Sequence, residues 1–200
     1  MSLVLEAARY PAYGTPSAMA YSTDRDGSPV EGGTVRFAWD KQGLHLDAVL
    51  EDSSLIALNR DDEQLHYESG DVFELFLKPT NALHKWEMYA TPFGNKSTLF
   101  FPTWPTPLSP QEALENHEYR ELNVVSEITE TGWKVRMFVP ASQLTALGSG
   151  WGDGTEWTVL CGRYNYNSED LLNPELTMVP ALSTTDYHLT DEYGRLVLLP

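Results

Sequence analysis

Carboxylates and aromatic rings are the side chains here whose types and spacing could do chemistry. The chain has 29 Asp and Glu residues, enough for close pairs to arise by chance. Two carboxyls held roughly 5–10 Å apart can cleave a glycosidic bond. Glu51-Asp52 and Asp61-Asp62-Glu63 fall at strand ends or in loops, where solvation is the default. Glu74 differs, because it sits inside the run 72–77, on the face opposite Phe73 and Leu75. An acid in mid-strand needs solvent or a partner. Glu74 therefore marks either an exposed sheet face or a polar anchor in a binding groove.

The aromatics carry more information. There are 7 Phe, 6 Trp and 10 Tyr, and many are expected in loops, where core packing does not call for them. Tyr67, Trp104, Trp151, Tyr164, Tyr166, Tyr187 and Tyr193 are examples. Each taken singly fits a minicore or a rim. Together they suit a pyranose ring, whose apolar C–H face stacks on flat aromatics while polar side chains meet its hydroxyls.

Other chemistries lack their signatures. No phosphate-binding glycine loop of either common type occurs, and no H-E-x-x-H. His45, His66, His84, His117 and His188 are scattered without metal-ligand spacing. A Ser-His-Asp triad is recognised by geometry and stays open at this level. No Met and His pair stands out as haem ligands.

Thirteen Lys and Arg against 29 Asp and Glu leave a net charge of −16. That argues against nucleic acid, whose phosphates need cationic neutralisation, and against an anionic membrane surface. No stretch approaches the roughly 20 apolar residues of a membrane span. The start, MSLVLEAARYPAYG, lacks the basic and apolar regions of a signal peptide. The chain as given is expected to be intracellular or a mature extracytoplasmic form. Cys161 is the single cysteine, so no internal disulfide is available. A chain of 200 residues can bury a sufficient core without staples, and residues 1–200 are expected to form one domain.

The elements that must position these residues read as β. Val35, Phe37 and Trp39 alternate with polar or small neighbours, a turn follows at 41–43, and Leu44, Leu46, Ala48 and Leu50 alternate on the way back. This is a hairpin pattern. Residues 71–77, 85–90 and 97–101 supply three further strands. A second hairpin spans 122–128 and 133–139 around Thr129-Glu130-Thr131-Gly132. The runs 156–166 and 195–199 complete the set. Ser109-Pro110-Gln111-Glu112 has the capping-box form and starts a short helix to about His117. Residues 140–147 suit another, ended by Gly148. The expected fold is an all-β antiparallel sandwich, jelly-roll-like, with one or two short helices.

The order and spacing of several segments resemble the family 9 carbohydrate-binding modules. They are VRFAWDKQGLHLDAVLEDSSL (35–55), LHYESGDVFELFLKP (65–79), KWEMYATPFG (85–94), TETGWKVRMFVPASQL (129–144), WTVLCGRYNYN (157–167) and DYHLTDEYGRLVL (186–198). The resemblance covers about residues 30–199. It implies a β-sandwich that binds sugars, such as those of xylan or cellulose, often as a module on polysaccharide-degrading enzymes. It also implies two aromatics that sandwich a sugar at a chain end, and structural calcium. Carried over by position, the sandwich aromatics fall at Tyr67 and near Tyr187, and the strand acid at Glu74. Both aromatic positions hold Tyr where the family has Trp. Lys85, Glu87 and Met88 stand where an arginine is expected, and Thr184 where an asparagine is.

The resulting expectation is non-catalytic binding of a mono- or oligosaccharide. Tyr67 and Tyr187 would stack on the sugar, while Glu74, Arg163 and Asn165 meet its hydroxyls. Trp104 would be a third platform, and Asp52 and Asp71 candidate calcium ligands. Arg163 has an equal structural reading as a buried ion pair with an acid. Two alternatives stay open: a glycan-active hydrolase using Glu74 with a second carboxylate, and an interaction domain that has lost the sugar site.

Overall fold

The computed structural model describes residues 3–200. The strands are β1 (Val4–Arg9), β2 (Ser17–Ala18), β3 (Gly33–Trp39), β4 (Gly43–Glu51), β5 (Val72–Pro79), β6 (Lys85–Ala90) and β7 (Lys96–Phe101), then β8 (Asn123–Thr129), β9 (Gly132–Pro140), β10 (Glu156–Asn165), β11 (Glu175–Val179) and β12 (Gly194–Leu198). Two short helices, α1 (Pro110–Glu115) and α2 (Ala141–Thr145), join them.

Local chemistry accounts for the elements that the sequence shows. In the β3–β4 turn, Asp40 Oδ1 accepts the N–H groups of Gln42 (2.7 Å) and Gly43 (3.1 Å). The β8–β9 turn closes at Gly132, with φ +148°, where a Cβ would stand 2.1 Å from the Leu50 carbonyl oxygen. Only glycine fits that approach. α1 begins at a complete capping box between Ser109 and Glu112 and ends two residues before His117.

The sheet differs from the expected sandwich. It is one continuous ladder, in the order β7-β6-β5-β10-β12-β1-β3-β4-β9-β8. β1 runs parallel to both of its neighbours, β12 and β3, so the sheet is mixed although mostly antiparallel. β1 and β12 lie near opposite ends of the chain, and no hairpin signal can announce such a pairing. The ladder winds round its core and nearly closes. Ser126 Oγ on β8 donates to the Thr91 carbonyl just past β6, linking the two arms (2.7 Å).

Strand parity decides what lies inside. Phe73, Leu75 and Leu77 on β5, Trp86 and Met88 on β6, and Val159 and Cys161 on β10 meet Phe37, Leu46, Trp133 and Val135 from the opposite arm. All are buried. The intervening residues of β5, β6 and β10 face outward, where a second apolar layer and the candidate site lie.

β10 is the shared strand. It pairs with β5 along Trp157–Tyr164, and on its other side with β12 through residues 156–159 and with β11 through 161–165. Its inward-facing Arg163 is fully buried. The guanidinium donates to the carbonyls of Glu31 (3.3 Å), Gly32 (3.4 Å) and Glu51 (2.7 Å), to Asn165 Oδ1 (2.7 Å) and to Asp52 Oδ2 (3.1 Å). One side chain thus fastens the entry of β3 and the exit of β4 to β10. Truncating one partner of a buried pair leaves the other charge uncompensated, at a cost of about 3–5 kcal/mol. Arg163→Met is expected to lower unfolding free energy by about that amount in urea titrations. Arg163→Lys should not restore it, because a lysine cannot reach several acceptors in one plane.

Candidate functional site

The site is built on the outer face of β5, β6 and β10. In the ladder register Glu74 lies between Tyr89 and Gly162, and Phe76 between Glu87 and Leu160. Glu74, Glu87, Tyr89 and Tyr164 therefore share one face of three adjacent strands. The loop between β11 and β12 closes over this face, and a 3₁₀ turn at His66–Glu68 brings Tyr67 to its rim. Together they enclose a pocket of about 250 Å³ lined by Tyr67, Glu74, Glu87, Tyr164, Tyr187 and His188, among others.

Tyr187 forms the floor. Its ring packs flat against Gly162, where a Cβ would lie 2.6 Å from ring atom Cε2. Its hydroxyl lies 2.9 Å from the Arg163 carbonyl and 2.8 Å from that of Thr177, so it ties β10 to β11. The ring is 6% exposed. The expected pair of free clamping rings is thus one rim ring, Tyr67, and one floor ring, Tyr187. Tyr164 stands between them, 5.6 Å from Tyr67 and edge-on to Tyr187 at 5.7 Å. Tyr164 belongs to β10 rather than to a loop.

Tyr67 is held from below. The Tyr166 hydroxyl donates to the Tyr67 carbonyl (2.7 Å), and Asp71 accepts the Tyr166 N–H (2.7 Å) and the Ile56 N–H (2.5 Å). Asp71, a candidate calcium ligand in sequence, is in this way the anchor of the Tyr67 turn. Burial pushes its carboxyl up to about 7, against the pull of its two N–H donors. Asp52, the other candidate, is taken by Arg163 and by the Ser54 N–H. Calcium takes 6–8 oxygen ligands, and both of these carboxylates accept protein donors. Among the described residues no group of three or more His, Cys, Asp or Glu side chains is placed to hold a metal ion.

Arg163 and Asn165 do not join Glu74. They point to the inner side of β10, where Asn165 donates to Glu31 Oε2 (2.6 Å) beside the Arg163–Asp52 pair. Residues of unlike parity cannot meet one ligand on one sheet face. Arg163 is in a buried ion pair with Asp52, as its structural reading expected. Trp104 approaches the site from the loop after β7. Lys85 Nζ lies 3.4 Å from its ring centroid, so one face of the indole is covered by a cation.

Lys85, Glu87 and Tyr89 are the site residues that sequence reasoning missed as a group. Lys85 and Glu87 are buried and paired at 2.7 Å, and Tyr89 donates to the second Glu87 oxygen at 3.0 Å. The signal was their alternation with Trp86, Met88 and Ala90, which places all three on one face. What the alternation lacked was the identity of the neighbouring strand.

The electrostatics separate the two carboxyls. Burial would raise Glu87, but the Lys85 ammonium, with His188 beyond it, holds it at about 2. Glu74 is pushed well above the usual carboxylate range, first by burial and then by the Glu87 charge, with only partial relief from Lys85. Glu74 is 2% exposed, and its Oε1 has no hydrogen-bond partner. Burial, helped by Glu68 and Glu74, also pushes the Tyr67 hydroxyl up to about 12.

A carboxyl raised in the folded state contributes fully below its unfolded value and costs stability as pH climbs above it. Glu74→Gln keeps the shape of the neutral acid. It is expected to match wild type in melting temperature near about pH 4 and to exceed it near about pH 8. A difference that does not change with pH would contradict the burial of Glu74 as its cause.

Comparison with known proteins bears on the fold. No protein-family profile matches the sequence, and a search of curated proteins finds no significant match. Solved structures do match. A protein of Bacteroides uniformis, provisionally described as carbohydrate-binding, superposes with a TM-score of 0.74 at 14% identity, covering 99% of this chain and 100% of that one. A family 9 carbohydrate-binding module from Caldicellulosiruptor kristjanssonii in complex with cellotriose gives a TM-score of 0.65 at 13% identity, over 98% of this chain and 93% of that one. The module from the same organism in complex with glucose gives 0.65 at 13%, over 98% and 95%. At these identities the likeness is one of architecture: over nearly its whole length, this chain has the fold of the family 9 carbohydrate-binding modules.

Proposed function

We propose that the outer-face pocket binds one sugar unit, free or at the end of an oligosaccharide, without turning it over. The observation that carries this reading is Glu74. Its carboxyl lines a pocket bounded by tyrosine rings. A few convergent polar groups in such a surround are what fixes a small ligand, and a sugar hydroxyl can meet this one. The volume of about 250 Å³ lies below the ~300 Å³ at which pockets for drug-sized ligands begin, which suits a monosaccharide unit. Modules of the same fold have been captured with glucose and with cellotriose, which supports the ligand class.

Few anchors imply modest affinity. Each stacking or hydrogen-bonding contact contributes on the order of 1 kcal/mol, so dissociation constants of about micromolar to millimolar follow. The test is titration calorimetry with glucose, xylose, cellobiose and xylo-oligosaccharides, with calcium and with a chelator. Saturable binding is expected, and Tyr67→Ala should weaken it roughly five- to tenfold by removing the rim ring. A flat response to every sugar would sink the reading.

One observation favours a second reading. Two carboxyls on one face, one pushed down and one pushed up from the usual range, are the arrangement a glycoside hydrolase needs. Against it, both Glu87 oxygens are already engaged, by Lys85 and by Tyr89. Incubation with soluble oligosaccharides is expected to release no new reducing ends. Turnover that Glu74→Gln abolishes would establish the enzyme instead.

A further inference from the structure

Two buried carboxyl groups, Glu74 and Glu87, line the pocket, and one buried cation, Lys85, lies beside them. Lys85 is already committed, donating to Glu87 Oε1 at 2.7 Å and lying against the Trp104 ring. His188 Nδ1 sits 3.2 Å from Lys85 Nζ and 3.4 Å from Glu87 Oε1, so it too is occupied with that pair. Glu74 has only partial relief from Lys85, and its Oε1 has no hydrogen-bond partner. Asp186 adds a further carboxylate to the lining. Tyrosine rings stand on the rim, wall and floor, and the electron-rich faces of such rings attract cations. The chain's net charge of −16 raises the local concentration of cations and lowers that of anions.

We propose that, among sugars, this pocket favours those bearing an amine, with the ammonium group seated against Glu74 inside the tyrosine surround. The inference rests on the carbohydrate reading above and narrows it. A neutral sugar offers Glu74 only a hydroxyl. An ammonium offers it the missing counter-charge. Glu74 then gives its proton to the solvent and pairs as a carboxylate. The groups facing Glu74 are Lys85, Glu87 and Tyr89 from β6, Tyr164 and Tyr166 from β10 and its exit, Tyr67 from the 3₁₀ turn, and Asp186, Tyr187 and His188 from the covering loop. Among them Lys85 is the one fixed cation, and Glu87 has it. A uronic acid would set a carboxylate against Glu74 and Glu87 and should be rejected.

Titration calorimetry on the full chain decides the matter, using glucosamine, glucose, N-acetylglucosamine and glucuronate. It is run near about pH 6, below the ~8 at which comparable amines titrate, in two buffers of different ionisation enthalpy. Glucosamine is expected to bind about tenfold more tightly than glucose and to release about one proton per sugar. Glucose should release none, and glucuronate should bind most weakly. Glu74→Gln should abolish the proton release and bring the glucosamine and glucose affinities together. Glucosamine no tighter than glucose overturns the inference while leaving the carbohydrate reading intact. So does N-acetylglucosamine binding as tightly as glucosamine, or tighter glucosamine binding without proton release. If none of the four sugars binds, the carbohydrate reading fails first and this inference with it.

Discussion

The buried guanidinium of Arg163 is the constraint from which the remaining architecture follows. It reaches from β10 to the entry of β3 and the exit of β4 and donates to carbonyls of both. Buried backbone carbonyls are stabilised by donors, and this guanidinium supplies donors to three of them. With Arg163 fixed inward, strand alternation sends Gly162 and Tyr164 outward. The gap above Gly162 admits the Tyr187 ring, and that ring sets the floor of the pocket. The structural clamp and the candidate ligand floor are therefore neighbours on one strand, joined through the Tyr187 hydroxyl and the Arg163 carbonyl.

A charge imbalance gives the pocket its character. Buried carboxylates persist when paired and hydrogen-bonded, and are forced neutral when they are not. Glu87 has Lys85 and Tyr89, so it stays ionised. Glu74 has neither, so burial and then the Glu87 charge push its carboxyl well above the usual range. The result is one acceptor already spent and one carboxyl still available, within a ring of tyrosines. Both the reading as a sugar site and its narrowing to amine-bearing sugars turn on that difference.

Much of this was legible in the order of residues. Val35-Phe37-Trp39 and Leu44-Leu46-Ala48-Leu50 announce a hairpin through period-two burial, and Ser109 with Glu112 announces the start of α1. These are local signals, carried within a few residues. β1, β2 and β11 were not legible. β1 pairs in parallel with β12 and β3, with no hairpin turn to either, while β11 follows a loop with no hairpin signal. Tyr67 and Glu74 could be picked out from their positions, and both line the pocket. Arg163 and Asn165 could be picked out too, but their placement on the opposite face could not.

The sequence by itself determined the class of the fold, the strands with strong alternation, the turns and cap, and the abundance of aromatic and acidic side chains. Those properties depend on residue type and near neighbours alone. Only the tertiary structure decided which strands lie side by side, and hence that Lys85, Glu87 and Tyr89 from β6 face Glu74 from β5. It also decided that Asp52 belongs to Arg163 and Asp71 to the Tyr67 turn. The physical reason is that strand pairing and charge pairing are long-range events. Register is settled by burying one face of the whole sheet at once, and a carboxylate's partner is whichever donor that register delivers.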